Sequence, residues 1–418
     1  MQQIPISQGV TLRHYETHIF QTRTYTIWFR RPLQREEATR NALLPAVWMR
    51  GCQAFPSARD IARHAETLCG AVFLIDVVKK GEEHLLRVSL ETTRDVSAGD
   101  AIAFLRAVLF EPLADSGAFR KAQVDAAREA LRKALLAREN DKRAYARLRC
   151  VEELCRDEPF GVDGDGYASD IPAASPEALY AQHIALLSET AVDIITVGDM
   201  AAEALAAQLQ HRLPFPDGHR AAPPPAGFAI PPLSPRIVEE AVDTSQGKLC
   251  IGLRAGIAPI GQAYCNLLVA NALFGGGGNS MLFARVREKA QLCYYVSSAY
   301  YRFKSILLVE SGLDAADFPH AEELIAESIS HMQSGDFTQD ALSKAKKTLA
   351  RSLRTLADDP AALADFTVAQ IIAGDSGGLN EVIQGIEAAT SEGCRSAFAQ
   401  VQTVLTYRLT QEGGNPYA

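Results

Sequence analysis

The hydrophobic pattern of the chain alternates between strand-like and helix-like runs. Strand-like alternation or continuous β-branched and aromatic stretches occur in TLRHYETHIF, TYTIWFRR, AVFLIDVV, HLLRVSLET and AVDIITVGDM, and later in KLCIGLRAGI, CYYVSSAYY and SILLVESGL. Helical segments fall in groups between these strands instead of alternating with them one for one. The pattern therefore predicts an α+β fold in which mainly antiparallel sheets carry helices on one face.

A proline-rich segment, RAAPPPAGFAIPPLSPR at residues 220–236, divides the chain into nearly equal parts. Proline at this density stiffens an extended connection, so the segment is predicted to be a linker between a domain at 1–219 and a domain at 237–418. The two parts repeat one order of elements. An apolar helix ends at Gly51 in the first part and at Gly275 in the second, and each is followed by strands and then by long helices. A duplicated domain is predicted.

Composition narrows the classes of function. The 418 residues carry a formal net charge of -8, and the basic residues are scattered among acidic ones. This distribution does not indicate a binding surface for nucleic acid or for an anionic membrane. No secretory signal and no long apolar run are found, so a cytoplasmic location is predicted. The eight cysteines lie mostly inside apolar runs and are expected to be reduced.

The histidine pair in HYETH is the first candidate for a metal site. His14 and His18 would share a zinc ion on a helix, but the surrounding residues predict a strand, on which four residues span about 13 Å. The favoured interpretation is that His14 and His18 are exposed residues of a strand and do not bind a metal ion. A site built from several distant histidines stays open, although nothing in the sequence points to one.

The glycine-rich segment FGGGGNS, residues 274–280, follows a predicted helix. Consecutive glycines permit close backbone approach, but a phosphate loop would need a following lysine and serine or threonine, and a dinucleotide loop would follow a strand. A turn that admits another backbone or a peptide is the more economical reading, which makes Gly276 and Gly277 candidate substrate-binding residues. Arg287 and Tyr294 lie seven residues apart. Their guanidinium and phenol groups are suited to donating hydrogen bonds to a peptide carbonyl. From these residues alone, structural roles for both remain open.

Taken together, the two similar halves, the linker and the run FGGGGNSMLFARVREKAQLCYYVSS resemble the pitrilysin or insulinase-type zinc metallopeptidases, the inverzincins, over essentially the whole chain. The resemblance implies two similar α+β domains that form a clamshell around an unfolded peptide. It also implies that Arg287 and Tyr294 fall on positions that reach toward substrate.

The zinc motif of that family, H-x-x-E-H, is absent from the position that the resemblance gives it. Counting back from Gly51 places the motif on residues 42–46, which read ALLPA. A third ligand would fall near Lys133 or Ala134, with Glu129 close by. Because Pro45 lacks an amide donor, the helix is expected to begin near Leu43 or to bend at the proline. No catalytic or metal-binding residue is predicted, and the chain is expected to be inactive as a peptidase on its own.

The resulting hypothesis is a non-catalytic subunit that pairs with a zinc-bearing homologue to form a peptide-degrading or peptide-processing chamber. The zinc would belong to the partner, and this chain would contribute Arg287 and Tyr294. Two alternatives stay open: a homodimeric clamshell or scaffold that binds peptides without hydrolysis, and an active metallopeptidase with a relocated metal site. Neither nucleic acid nor membrane is an expected partner.

Overall fold

The computed structural model describes residues 1–230 and 234–412. Strands in these ranges are β1 (Gln2–Ser7), β2 (Val10–Glu16), β3 (Thr22–Pro32), β4 (Val72–Lys80), β5 (Glu83–Thr93), β6 (Ala114–Asp115), β7 (Ala118–Phe119), β8 (Ala191–Gly198), β9 (Arg236–Val242), β10 (Gly247–Arg254), β11 (Cys293–Tyr301), β12 (Ile306–Leu313) and β13 (Gln402–Gln411). Helices are α1 (Arg35–Trp48), α2 (Ala58–Thr67), α3 (Ala98–Phe110), α4 (Lys121–Ala137), α5 (Lys142–Leu154), α6 (Pro176–Glu189), α7 (Ala202–Arg212), α8 (Gly261–Phe274), α9 (Phe318–Ser334), α10 (Gln339–Leu356), α11 (Pro360–Ala373), α12 (Leu379–Ala388) and α13 (Ser391–Phe398).

Two large sheets organise the chain. The first has the strand order β1-β2-β8-β3-β5-β4, and the second has the order β11-β12-β10-β13-β9. Pairing is antiparallel except between β2 and β8 and between β9 and β13, which are parallel. The α+β class, with two halves each made of a sheet and helices, is confirmed.

The contacts divide the chain into two compact units that do not coincide with its sequence halves. The first unit contains residues 1–136, 162–224 and 359–369, and the second contains 137–161, 225–358 and 370–418. Each half therefore contributes one segment to the other unit. The domain boundaries at 219 and 237 stay a prediction. Residues 231–233 of the predicted linker lie outside the described residues, and β9 begins at its last residue, Arg236.

Helix α1 begins earlier in the chain than the position of Pro45 predicted. The expectation that it begins near Leu43 is wrong, because the helix begins at Arg35 and includes Pro45 in its third turn. The amide of Met49 still donates to the Pro45 carbonyl at 3.0 Å. Leu43, Leu44 and Trp48 are fully buried in the core of the first unit, so packing of the apolar face offsets the missing amide donor of the proline.

His14 corrects another expectation. His14 lies on β2 as predicted, but its side chain is fully buried instead of exposed. His18 is exposed as predicted, but it lies beyond the end of β2 at Glu16 and not on the strand. Its Nδ1 atom lies 2.7 Å from the Thr196 hydroxyl, and its Nε2 atom lies 2.7 Å from the Met200 carbonyl. Burial lowers the pKa of His14. These are partners of a core histidine, and both ring nitrogens are engaged without a metal ion.

No helix in the described ranges is both long and apolar enough to span a membrane.

Candidate functional site

The positions of the zinc motif line a small cavity in the first unit. Ala42, Pro45 and Ala46 project from α1 into a space of about 330 Å³ that Met49, Ile75, Asp76, Val77 and Asp165 complete. None of the three motif positions has a nitrogen, oxygen or sulfur atom in its side chain that could bind zinc. The Asp76 carboxylate is held by Arg87 at 2.8 Å. The residues present do not fit a catalytic zinc ion.

The region predicted for a third ligand lies on α4 and does not line this cavity. Glu129 is exposed and is held by Arg132 at 2.9 Å and by Lys133 at 3.4 Å. Across residues 1–230 and 234–412, no group of three or more histidine, cysteine, aspartate or glutamate side chains is arranged to hold a metal ion. A relocated metal site therefore has no candidate residues in these ranges.

The glycine-rich turn is attached to the edge strand of the second sheet. Helix α8 ends at Phe274, and the Gly275 carbonyl accepts a hydrogen bond from the Ser298 amide of β11 at 2.8 Å. The Asn271 side chain holds the same strand residue twice, by donating to the Ser298 carbonyl at 3.3 Å and by accepting from its hydroxyl at 2.7 Å. One outward-facing residue of the edge strand is thus already paired with the turn.

Gly276 and Gly277 differ in their surroundings. A side-chain carbon at Gly276 would lie 2.6 Å from Ala272 of the preceding helix, whereas one at Gly277 would meet nothing within 4 Å. Both line a groove of about 390 Å³ between the turn and α10, with Glu288, Asp340 and Lys344 on its walls. The turn therefore leaves open space at Gly277 but not at Gly276. The role of both glycines in substrate binding stays a prediction.

Arg287 lies on a π-helical segment, Phe283–Lys289, that follows the turn. The segment is anchored by the buried Val286, whose carbonyl accepts from the Leu292 amide at 3.1 Å. The Arg287 side chain is exposed, and its guanidinium carbon lies 4.8 Å from the centre of the Phe283 ring. π-Helical turns are rare and are frequent at functional sites, because they re-aim side chains relative to an α-helix.

Tyr294 is placed by a break in the strand register. Cys293 pairs with Leu313 and Tyr295 pairs with Gly312, so Tyr294 is an extra residue in β11 and forms a β-bulge. Its side chain is 78% exposed, and its hydroxyl has no hydrogen bond to the described residues. An exposed, unpartnered phenol on a bulge is available to a ligand, and a bulge was not foreseen from the alternating sequence.

The candidates do not share one pocket: Tyr294 lies at the start of β11, whereas the glycine-rich turn contacts the middle of that strand at Ser298. Glu288 lines the groove with Gly276 and Gly277, but Arg287 and Tyr294 lie outside its lining. Burial raises the pKa of the Cys293 thiol, while the hydroxyl of Ser311 and the positive charge of Arg287 oppose that rise, so Arg287 acts electrostatically on the start of β11.

Two features near these sites were missed. Ile75, Asp76 and Val77 of β4 complete the cavity at the motif positions, and no local sequence signal links them to α1. The concentration of basic residues on α10 was also missed, because the basic residues of the whole chain were described as scattered among acidic ones. A count over the window KAKKTLARSLR, residues 344–354, would have found them, because it contains five basic residues and no acidic one.

Comparison with known proteins finds similar chains. Residues 173–349 match the family described as "Peptidase M16 inactive domain". The chain is 28% identical over 408 residues to the "Probable inactive metalloprotease YmfF" of Bacillus subtilis, covering 96% of each chain.

Solved structures show the same fold over nearly the whole length. A conserved protein from Enterococcus faecalis V583 superimposes with a TM-score of 0.92 at 24% identity, and a peptidase M16 inactive domain from Pseudomonas fluorescens with a TM-score of 0.81 at 20% identity. In both comparisons the alignment covers 99% of each chain. The chain is therefore similar to M16 proteins of the pitrilysin or insulinase type, which confirms the resemblance read from the sequence, and its motif positions 42–46 lack the zinc ligands.

Proposed function

We propose that this chain is a non-catalytic subunit that pairs with a zinc-bearing M16 homologue and closes a peptide-processing chamber in the cytoplasm. One contrast carries the proposal. The motif positions are alanine, proline and alanine, whereas the exposed Tyr294 lies on a bulge of β11 and the exposed Arg287 lies on the π-helical segment that precedes this strand. An exposed aromatic side chain without an internal partner contributes little to stability, so a role toward a ligand accounts for it better.

In this proposal the zinc, and the water that it activates, belong to the partner. The contribution of this chain is positioning: the Arg287 guanidinium and the Tyr294 hydroxyl would donate hydrogen bonds to carbonyl groups of the bound peptide. The open backbone at Gly277 would let the peptide approach the turn without steric conflict. The altered motif itself would take no part in hydrolysis.

Reconstitution with the zinc-bearing homologue tests the proposal. We expect the two purified chains to associate and to hydrolyse an unfolded peptide faster than the homologue alone. Arg287→Ala should lower kcat/KM of the pair at least about tenfold, a loss of about 1.4 kcal/mol in transition-state stabilisation. Tyr294→Phe, which removes only the hydroxyl, should act in the same direction.

Lys289→Ala is the matched control, because Lys289 is an exposed cation on the same π-helical segment. It should leave kcat/KM unchanged. If the chains do not associate, or if Arg287→Ala behaves like Lys289→Ala, the pairing role is wrong. Peptide binding by this chain with no stimulation of the homologue would instead favour a non-hydrolytic peptide-binding protein.

A further inference from the structure

Helix α10 carries a concentration of positive charge that the proposed function does not use. Its 18 residues include five lysines and arginines and a single acidic residue, Asp340, in a chain whose formal net charge is -8. The helix starts at a regular cap, since the Thr338 hydroxyl accepts from the Ala341 amide at 3.1 Å. Helix formation alone therefore does not explain why the basic residues collect here.

Three of the five basic side chains have partners inside the second unit. Lys344 pairs with Asp340 at 2.6 Å and Arg354 pairs with Glu387 of α12 at 2.5 Å. The Lys346 ammonium donates to the Ala389 carbonyl at 2.8 Å, just beyond the end of α12. The contacts of Lys346 and Arg354 hold α10 against α12. Lys346 has no carboxylate partner in the part of the chain that the structure describes.

Lys347 and Arg351 differ from those three. Both are exposed, and neither has a carboxylate partner among the described residues. They lie four residues apart, so their Cβ atoms are about 6 Å from each other on one face of the helix. Like charges at this spacing destabilise a helix, and an anionic ligand would remove that penalty.

A groove lies beside these charges. It has a volume of about 390 Å³ and runs between α10 and α12. Its charged lining residues are Lys346, Lys347, Arg354 and Glu387, and because Glu387 pairs with Arg354, Lys346 and Lys347 supply its net positive charge. Leu342 and Ala350 are buried and form an apolar part of the lining. The groove therefore combines a cationic rim with an apolar surface, and it is distinct from the groove at the glycine-rich turn, which lies on other residues of α10.

From this juxtaposition we infer that the groove between α10 and α12 binds an acidic segment of the peptide substrate. The inference rests on the proposed function, and it adds the substrate class. In an extended peptide, alternate side chains lie on one face about 7 Å apart, close to the spacing of the two unpaired cations. Lys347 lines the groove, and Arg351 lies one helical turn further along α10, outside the lining. Carboxylates on alternate residues of a peptide that extends from the groove along α10 would therefore meet both cations.

The occupant is a peptide and not a nucleic acid because of charge and shape. The net charge of -8 repels a long polyanion, and a nucleic-acid surface would need basic residues spread over a larger face. Short acidic segments with interspersed apolar residues suit both the local cations and the apolar lining. The carboxylates of such a segment would be attracted by the lysine and arginine charges of α10. This attraction acts at distances shorter than the screening length of the salt solution, where screening is incomplete.

Binding of three matched peptides to the full chain tests this inference. The peptides have about fifteen residues, and alternate positions carry glutamate, glutamine or lysine. We expect the glutamate peptide to bind at least about tenfold more tightly than the glutamine peptide at low salt, and this advantage should shrink as the salt concentration rises. The lysine peptide should bind no more tightly than the glutamine peptide.

Variants that change the charge of α10 test whether its residues cause the preference for the glutamate peptide. Lys347→Glu with Arg351→Glu should abolish the preference for the glutamate peptide. Lys347→Gln with Arg351→Gln should reduce it without destabilising the helix, because it removes the like-charge pair. Arg59→Glu with Arg156→Glu changes the net charge by the same amount at two exposed sites outside this groove, and it should leave the preference intact.

The outcomes separate this inference from the proposed function. If the glutamate peptide binds no more tightly than the glutamine peptide, or if the α10 variants behave like the Arg59 and Arg156 control, the acidic-substrate inference is overturned. If none of the three peptides binds, that inference is likewise overturned. The pairing role is judged separately, by the reconstitution with the zinc-bearing homologue. If a single-stranded oligonucleotide competes as well as the glutamate peptide, the groove is a general polyanion site and the inference is overturned.

Discussion

At the scale of single residues, two histidines in the core of the first unit give stability a pH dependence. His183 is surrounded by the rings of Trp48, Phe119 and Tyr180, with centroids 5.6 to 6.0 Å away, and its Nδ1 atom has no hydrogen-bond partner. His84 lies under α1, with Nδ1 3.2 Å from the amide nitrogen of Asn41. Burial lowers the pKa of each imidazole to about 4.

These values fix the direction of the pH effect. The folded pKa of each histidine is near 4 and the unfolded value is near 6.5, so the unfolded chain binds more protons between those limits. Stability is therefore fully present above about pH 6.5 and falls as the pH is lowered toward 4. Each histidine should remove on the order of 2 kcal/mol from the free energy of unfolding between about pH 7 and pH 5.

His183→Phe tests this effect, because phenylalanine preserves an aromatic ring among aromatic neighbours but cannot be protonated. The wild-type chain should lose about 2 kcal/mol more than the variant when urea unfolding is measured at about pH 7 and again at about pH 5. His211→Gln, at an exposed position, is the control and should follow the wild type. Equal losses in the wild type and His183→Phe would contradict the assignment.

At the scale of elements, the junction between α8 and β11 depends on one close approach. The sequence predicted the apolar helix before the glycines and the strand CYYVSSAYY after them, and the strand runs over those residues, Cys293–Tyr301. The bulge at Tyr294 and the hydrogen bond from Ser298 to Gly275 were not predictable, since both are set by the partner strand and by the helix end.

Gly275→Ala should disrupt this junction, whereas Gly277→Ala should not. A side-chain carbon at Gly275 would lie 2.5 Å from Cβ and 2.8 Å from the amide nitrogen of Ser298, so the edge strand would have to move. Overpacking of this kind costs about 1 to 3 kcal/mol of unfolding free energy. Gly277 has open space, and its alanine variant should unfold like the wild type. Similar denaturation midpoints for the two variants would show that the approach is not constrained.

At the scale of the whole molecule, each compact unit includes a segment from the other half of the sequence. In the first unit, Lys80 pairs with Asp365 at 2.9 Å, and the Tyr15 hydroxyl lies 2.9 Å from that of Thr367. In the second unit, Arg149 of α5 pairs with Glu240 at 3.0 Å. The buried cations Arg254 and Lys304 both pair with Glu158 of the contributed segment.

This exchange predicts the behaviour of the separated halves. Fragments 1–219 and 237–418 should not unfold cooperatively alone, because each lacks a segment that completes its sheet unit and the second would leave Arg254 and Lys304 buried without Glu158. Co-expressed, the fragments should associate and regain a cooperative unfolding transition in calorimetry. A cooperative transition in either fragment alone would show that the exchanged segment is dispensable.

The sequence by itself determined the α+β class and eight of the strands, but not β1, β9 or β13. These predictions follow from local periodicity, which needs no knowledge of distant contacts. The absence of zinc ligands follows from residue identity at the positions that the family resemblance gives to the motif. Only the tertiary structure decided that His14 is buried, that Tyr294 is a bulged residue, and that residues 137–161 and 359–369 complete the opposite units. Each of these depends on which remote strand or helix packs against the residue, and local hydrophobic patterning carries no information about that choice.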